Sequence, residues 1–96
     1  MFPGGEDAYF SWLKDNLKYP ETAKANGVTG LVIVTFVVEK DGSLTNPTIL
    51  RSVGSGCDEE AIRLIKAMPK WEPGKQHSVP VRVQFNLPIK FPFEKP

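Results

Sequence analysis

The side chains that could do chemistry are few and lie far apart along the chain. His77 is the only histidine, and it falls in a polar stretch where we expect a solvated loop. Cys57 is the only cysteine, so an internal disulfide is excluded and the thiol says little about redox compartment. It stands at a predicted helix start, where the helix dipole can lower a thiol pKa. Packing in the core is the favoured interpretation, because no second cysteine accompanies it.

Three acidic residues in a row, Asp58 to Glu60, also belong to this predicted helix start. Adjacent helix positions point in different directions, so capping explains the three acids better than a carboxylate cluster does. Trp12 and Trp71 are expected to pack between elements rather than to stack on a ligand. No metal-ligand spacing and no glycine-rich phosphate loop occurs in the sequence. We therefore predict no enzymatic activity, no cofactor and no bound metal.

Charge and hydropathy argue against several classes of protein. The 96 residues carry 12 basic and 11 acidic side chains, a net charge of +1, without a long run of either sign. This balance offers no footprint for nucleic acid and no polybasic membrane patch. No apolar run of about 18 residues and no signal peptide occurs, so we expect any anchor or export signal to lie outside this sequence. The length predicts one domain, residues 1–96.

Two amphipathic helices and one short helix are predicted from apolar spacing and from caps. The first runs from Glu6 to Leu17, with acidic residues in its first turn. Pro20 opens a short helix from Glu21 to Ala25. The third runs from Asp58 to Met68, with apolar residues on one side and charged residues on the other.

Three segments have the composition of β-strands. The segment from Gly30 to Glu39 is rich in β-branched residues and apolar at every even position from 32 to 38, which predicts a central strand. Asp41-Gly42 predicts a hairpin into a second strand, Leu44 to Val53. Residues 70–78 are predicted to form a loop. From Val79 to Phe91 apolar and polar residues alternate, which predicts one long last strand.

The directions of these elements determine the predicted sheet order. A right-handed crossover through the third helix places the last strand beside the central one, in the order 2-1-3. Pro47 then lies on an outer strand, where a missing N–H is tolerated. We predict an α+β fold of two layers, in which a three-stranded antiparallel or mixed sheet carries one crossover helix and is preceded by N-terminal helices.

The outer edge of the last strand is bounded by prolines. Pro80 and Pro88 have the same parity and no N–H, so that parity should face away from the neighbouring strand. The open edge would then present the backbone of Arg82, Gln84 and Asn86, provided that no bulge interrupts the strand. Such an edge has two interpretations. The prolines and Arg82 can protect against edge-to-edge aggregation, or the edge can be a docking slot about seven residues long.

A family resemblance extends from Tyr19 to Phe91 and rests on residues in a fixed order. Single dipeptides are weak signals, whereas Trp71-x-Pro73-Gly74 before a Val-Pro-Val strand is fairly specific. The ordered set resembles the C-terminal domain of the TonB family. The matching positions are Tyr19-Pro20, Ala23, Gly27, Gly30, Phe36, Asp41-Gly42, Ser52, Gly56, Ala61, Trp71, Pro73-Gly74, Val79-Pro80-Val81 and Phe85.

The resemblance implies a core at residues 19–92 and an N-terminal helical extension at residues 1–18. The extension, with its Phe-Pro-Gly-Gly opening, looks like the versions found in the Bacteroidetes. Cys57 departs from the pattern, since the family commonly has Leu before the Asp of the last helix. The transmembrane helix and proline-rich linker of full-length TonB proteins are missing, which suggests an excised domain.

The resemblance also implies a function. TonB proteins are anchored in the inner membrane, are driven by an ExbB/ExbD-type motor and reach across the periplasm to outer-membrane transporters. They bind the TonB box, a short extended segment of the transporter, as an added strand at the edge of the last strand. We therefore expect a periplasmic, energy-transducing coupler. The expected partner-binding residues are Arg82, Gln84, Asn86, Val81, Val83, Tyr19 and Pro20.

Two alternatives stay open at this stage. Similar domains are appended to membrane metallopeptidase antirepressors, in which the domain would be a periplasmic sensing or interaction module. An open edge also pairs with itself, which would give a homodimer by strand exchange. The sequence names neither the transporter nor its cargo.

Overall fold

A computed structural model describes residues 1–94. The helices are α1 (Gly5–Asn16), α2 (Glu21–Ala25) and α3 (Cys57–Ala67). The strands are β1 (Gly30–Val38), β2 (Leu44–Arg51), β3 (Gly74–Gln76), β4 (Val79–Val81) and β5 (Val83–Phe91). The three helices and the first two strands lie within two residues of their predicted bounds.

The main sheet has the strand order β2-β1-β5, and both pairings are antiparallel. The predicted α+β fold and its 2-1-3 order are therefore confirmed. β1 pairs with β5 in an unbroken register from Gly30 opposite Phe91 to Val38 opposite Val83. The register between β1 and β2 shifts twice, and Pro47 lies in that irregular outer strand. The even positions of β1 are buried, as their composition predicts.

The prediction of one long last strand was wrong. Residues Val79–Val81 form β4, which pairs with β3 in a separate two-stranded sheet, and the chain leaves strand geometry at Arg82 before β5 begins. The predicted loop at residues 70–78 consequently contains β3. His77 and Ser78 form the hairpin turn with positive φ angles of 53° and 65°. Two-residue hairpin turns are usually recognised in a sequence by Asn-Gly or Asp-Gly. His77-Ser78 is not such a pair, so the sequence did not predict this turn. Alternation also does not reveal where a strand changes its partner.

The core lies between α3 and the even side of β1. Ala61, Leu64 and Ile65 of α3 and Val32 and Val34 of β1 are almost completely excluded from solvent. α3 is also bonded to the connection between α1 and α2, because the Glu60 carboxylate accepts the backbone N–H of Lys18 at 2.7 Å. The same carboxylate binds the Arg63 guanidinium at 2.6 and 2.7 Å, so its charge is compensated.

The turn between β1 and β2 touches the segment that follows α3. Gly42 has a φ of 88°, its N–H donates to the Glu39 carbonyl at 2.9 Å, and its own carbonyl accepts the Trp71 N–H at 2.8 Å. A Cβ added at Gly42 would lie 2.2 Å from the carbonyl oxygen of Trp71. Glycine is thus required twice here, for its backbone conformation and for the close approach of Trp71.

We expect Gly42→Ala to lower the free energy of unfolding by about 3 kcal/mol, since it adds a steric clash to the cost of a left-handed conformation. Gly27→Ala is the matched control, because Gly27 also has a positive φ of 64° but no atom within 4 Å of the added Cβ. That variant should lose only about 1 kcal/mol. Urea unfolding followed by circular dichroism gives both values. Equal losses would show that the turn moves away from Trp71 without cost.

Candidate functional site

The candidate binding site predicted from the sequence lies at the outer edge of β5. Its inner edge pairs with β1, and within residues 1–94 no strand pairs with its outer edge. Pro88 lies opposite Ile33 in a register without a bulge. Because Pro88 has no N–H to exchange with β1, its parity favours the outer edge, and Gln84 and Asn86 share that parity. The orientation of this edge stays a prediction that rests on Pro88, since Pro80 lies in β4 opposite Lys75.

The polar residues of the predicted site lie along one side of the sheet. The Arg82 guanidinium donates to the Glu39 carboxylate at 2.6 and 3.3 Å, and the Gln84 amide donates to the Thr35 hydroxyl at 3.0 Å. Asn86 is exposed directly opposite Thr35. The hydrogen bond from Arg82 is the main reason that the pKa of Glu39 lies below its ordinary value. The Arg82 and Gln84 side chains thus bond back toward β1.

The other predicted site residues are divided between three places. Val83 begins β5 and is 37% exposed, whereas Val81 belongs to β4, where it lies opposite Gly74. Tyr19 and Pro20 lie in the connection between α1 and α2. The Tyr19 hydroxyl donates to the carbonyl of Val28. The structure therefore brings Val83, Gln84 and Asn86 together on β5 and gives Tyr19 a bond that holds the connection in place.

A groove between α1 and β5 is a feature that the sequence analysis missed. It encloses about 310 Å³. Its lining includes Tyr9 and Phe10 of α1 and Trp71 from the segment between α3 and β3. Phe85, Leu87 and Pro88 of β5 form the opposite wall. No periodicity of α1 or β5 alone identifies this groove, because its two walls are far apart in sequence.

An aromatic cluster forms one end of the groove. The Trp71 ring lies 5.2 Å from Phe36 and 5.1 Å from Phe85 between centroids, and both pairs are edge-to-face. Phe2 packs 6.3 Å from Trp71 and 5.6 Å from Tyr9. Edge-to-face contacts of this kind contribute about 0.5–1.5 kcal/mol beyond burial. The cluster joins β1, β5, α1 and the Trp71 segment. The expectation that Trp71 packs between elements is thus confirmed.

Two polar atoms of the groove lining are buried without a hydrogen-bond partner among the described residues, the Tyr9 hydroxyl and the Trp71 Nε1–H. Tyr9 is 7% exposed and Trp71 is 4% exposed. Burial raises the pKa of the Tyr9 hydroxyl far above its ordinary value. An unpaired buried donor costs about 1–3 kcal/mol, so these groups are unusual in a structural wall.

The residues that the sequence analysis considered for catalysis or metal binding are either buried in the core, exposed in a turn or hydrogen-bonded to the backbone. Cys57 is completely buried, and burial followed by the neighbouring acidic charges raises the pKa of its thiol. His77 is exposed in the β3–β4 turn. Asp58 accepts hydrogen bonds from the Ser52 hydroxyl and from the N–H of Val53 and Gly54. Within residues 1–94, no His, Cys, Asp and Glu side chains gather into a group that could hold a metal ion.

Comparisons with known proteins agree with this architecture. Residues 15–93 match the family described as the Gram-negative bacterial TonB protein C-terminal. A solution NMR structure of TonB-CTD from Helicobacter pylori has a TM-score of 0.66 at 22% identity, over 94% of this chain and 95% of that chain. A second structure of TonB-CTD from the same organism has a TM-score of 0.62 at 21% identity, over 99% and 91%. Among curated proteins the chain has no match.

We expect Tyr9→Phe to leave the free energy of unfolding unchanged or to raise it by up to about 1 kcal/mol, because it removes an unpaired buried hydroxyl. Tyr19→Phe is the matched control and should lower it by about 1 kcal/mol, since its hydroxyl donates to Val28. Denaturant unfolding at neutral pH measures both. A loss in Tyr9→Phe as large as in Tyr19→Phe would show that the Tyr9 hydroxyl is paired in solution.

The Tyr9 pKa also predicts a pH dependence. Because burial raises the folded-state pKa, only the unfolded state loses this proton as the pH passes the ordinary value of 10.0. The unfolded state then binds fewer protons than the folded state, so this contribution to stability is complete below pH 10 and falls above it. Unfolding of the wild type and of Tyr9→Phe between pH 8 and about pH 11 should show a steeper decline for the wild type. Parallel curves would contradict the burial of this hydroxyl.

Proposed function

Because the chain belongs to the family of TonB C-terminal domains, we propose that it is the coupling domain of a periplasmic energy transducer. It binds the TonB box of outer-membrane transporters by taking the box as a fourth strand beside β5. TonB C-terminal domains are periplasmic and are associated with transport, which supports this assignment. The longest helix within residues 1–94 has 12 residues, which is too short to span a bilayer.

The observation that carries the proposal is the unpaired outer edge of β5. This strand has nine residues, and its first half is exposed from Val83 to Asn86. An exposed edge supplies N–H and C=O groups in register, so an extended peptide can form main-chain hydrogen bonds with it. The backbone groups of Gln84 and Asn86 are the proposed contacts, with Arg82 and Val83 at the start of the slot. Val81, Tyr19 and Pro20 lie outside β5, and their proposed role is to position the segments beside it.

The expected affinity suits a reversible coupler. Four to six new backbone hydrogen bonds contribute about 0.5–1.5 kcal/mol each. Ordering of a flexible peptide offsets part of that gain. The net free energy is about −4 to −8 kcal/mol, which corresponds to a dissociation constant between millimolar and micromolar. The coupler performs no chemistry and needs no cofactor, and an ExbB/ExbD-type motor would act through regions outside this sequence.

The experiment that tests the proposal is a titration of ¹⁵N-labelled protein with synthetic TonB-box peptides. We expect the amide signals of β5 to shift first, centred on Gln84 and Asn86, with saturation between micromolar and millimolar peptide. Sedimentation at the same protein concentration distinguishes peptide binding from pairing of two copies through the same edge. Shifts confined to β2 or α3, or no shifts with any box peptide, would contradict the proposal.

A variant of the edge separates backbone from side-chain recognition. Asn86→Pro removes one N–H from the proposed outer edge, so we expect affinity for the box peptide to fall about 3- to 10-fold. Asn86→Ala keeps that N–H and should change affinity by less than about twofold. The dispersion of the amide spectrum verifies that both variants fold. Equal losses in the two variants would mean that the Asn86 side chain, not the strand edge, binds the peptide.

A further inference from the structure

We propose that the groove between α1 and β5 reads the sequence of the added strand, by accepting large apolar side chains from alternate positions of the peptide. This inference rests on the proposed function, because it requires a peptide that lies along β5. The partner it defines is an extended segment with two large apolar residues at positions i and i+2. The residues between and around them are free to be polar.

The pleat of the sheet determines which side chains of an added strand face the groove. Residues directly opposite each other on neighbouring strands have side chains on the same side of the sheet. Phe85 pairs with Phe36, and Leu87 pairs with Val34, so both lie on the side that carries the core. Peptide residues opposite Phe85 and Leu87 therefore also point to that side. They are two positions apart, and both Phe85 and Leu87 line the groove.

The lining of the groove is mostly apolar and aromatic. Glu6 is the one charged residue of its lining among the described residues, and it is exposed on the first turn of α1. An acidic peptide side chain would lose its hydration against Phe10, Phe85 and Leu87, and it would meet the like charge of Glu6. An aliphatic or aromatic side chain loses nothing comparable and gains from burial. The groove consequently selects apolar residues and discriminates against acidic ones.

The Trp71 ring reports on occupation of the groove. It belongs to the lining and lies 5.1 Å from Phe85 between ring centroids. An apolar peptide side chain seated beside Phe85 therefore changes the surroundings of the Trp71 indole.

Phe10 is the side chain on which the selectivity depends most directly. It lines this groove, and it also lines a second cavity of about 280 Å³ with Leu31, Pro88 and Phe93. Phe10 therefore contributes to the lining of both cavities. It is only half-buried and packs 5.3 Å from Tyr9, so its removal should leave the fold intact.

The test compares two seven-residue peptides of identical composition, each with two leucines among polar residues. One has the leucines at positions 3 and 5, on one side of a strand, and the other has them at positions 3 and 4, on opposite sides. We expect the first peptide to bind about tenfold more tightly and to shift the Trp71 indole signal. The Trp12 indole, which is outside the groove lining, is the internal reference.

Variants complete the design. Phe10→Ala should remove most of the preference between the two peptides, and Phe10→Leu should keep part of it. Ile33→Ala is the matched control, because Ile33 lies opposite Pro88 on the other side of the sheet from the core. This variant should keep the full preference. Amide spectra verify that each variant folds.

The outcomes separate the inference from the function on which it rests. A preference for the first peptide that is lost in Phe10→Ala and kept in Ile33→Ala supports the groove as the selective element. Equal binding of both peptides, with shifts along β5, overturns this inference and leaves the coupling function standing. Absence of β5 shifts with both peptides and with authentic TonB-box peptides overturns the coupling function and the inference together.

Discussion

The contact between Gly42 and the backbone of Trp71 is the constraint on which the candidate site depends. Gly42 accepts the Trp71 N–H at 2.8 Å and leaves no room for a side chain at its own position. The contact fixes Trp71 against Phe36 and Phe85, and Phe2 packs against the same ring. The Met1 carbonyl accepts the N–H of Glu72 at 2.8 Å, so the segment before α1 is attached to the residue after Trp71. α1 thereby stands beside β5, and the groove between them exists.

The sheet places regular pairing and an open edge on the same strand. β5 is bonded to β1 over its whole length, which makes it rigid, yet its outer edge has no partner within residues 1–94. Rigidity matters because a preorganised edge loses little conformational entropy when a peptide is added. The Arg82 and Gln84 side chains bond back toward β1 and so do not compete for the edge. A flexible strand of the same sequence would offer the same hydrogen bonds at a higher entropic cost.

Protection against aggregation and selection of a partner are compatible at this edge. Arg82 and Pro88 are residue types that disfavour uncontrolled strand pairing. α1 adds a second restriction, because it stands beside the strand and presents Tyr9 and Phe10 to the groove. A chain that adds to β5 must bring suitable side chains past these residues. We therefore propose that the edge admits a peptide with the right pattern more readily than a second copy of the sheet.

Local patterns in the sequence determined the three helices and the central and second strands, because periodicity and the Asp41-Gly42 turn act over a few residues. The sheet order followed from the strand directions and a right-handed crossover, and the family followed from motif residues in a fixed order. The local patterns also indicated β5 as an edge through Pro88. The β3–β4 hairpin was decided by tertiary structure, since the alternation from Val79 to Phe91 is the same whether one strand or two bear it. The groove was decided there as well. Its walls come from α1, Trp71 and β5, whose approach follows from packing across the fold that no local pattern encodes.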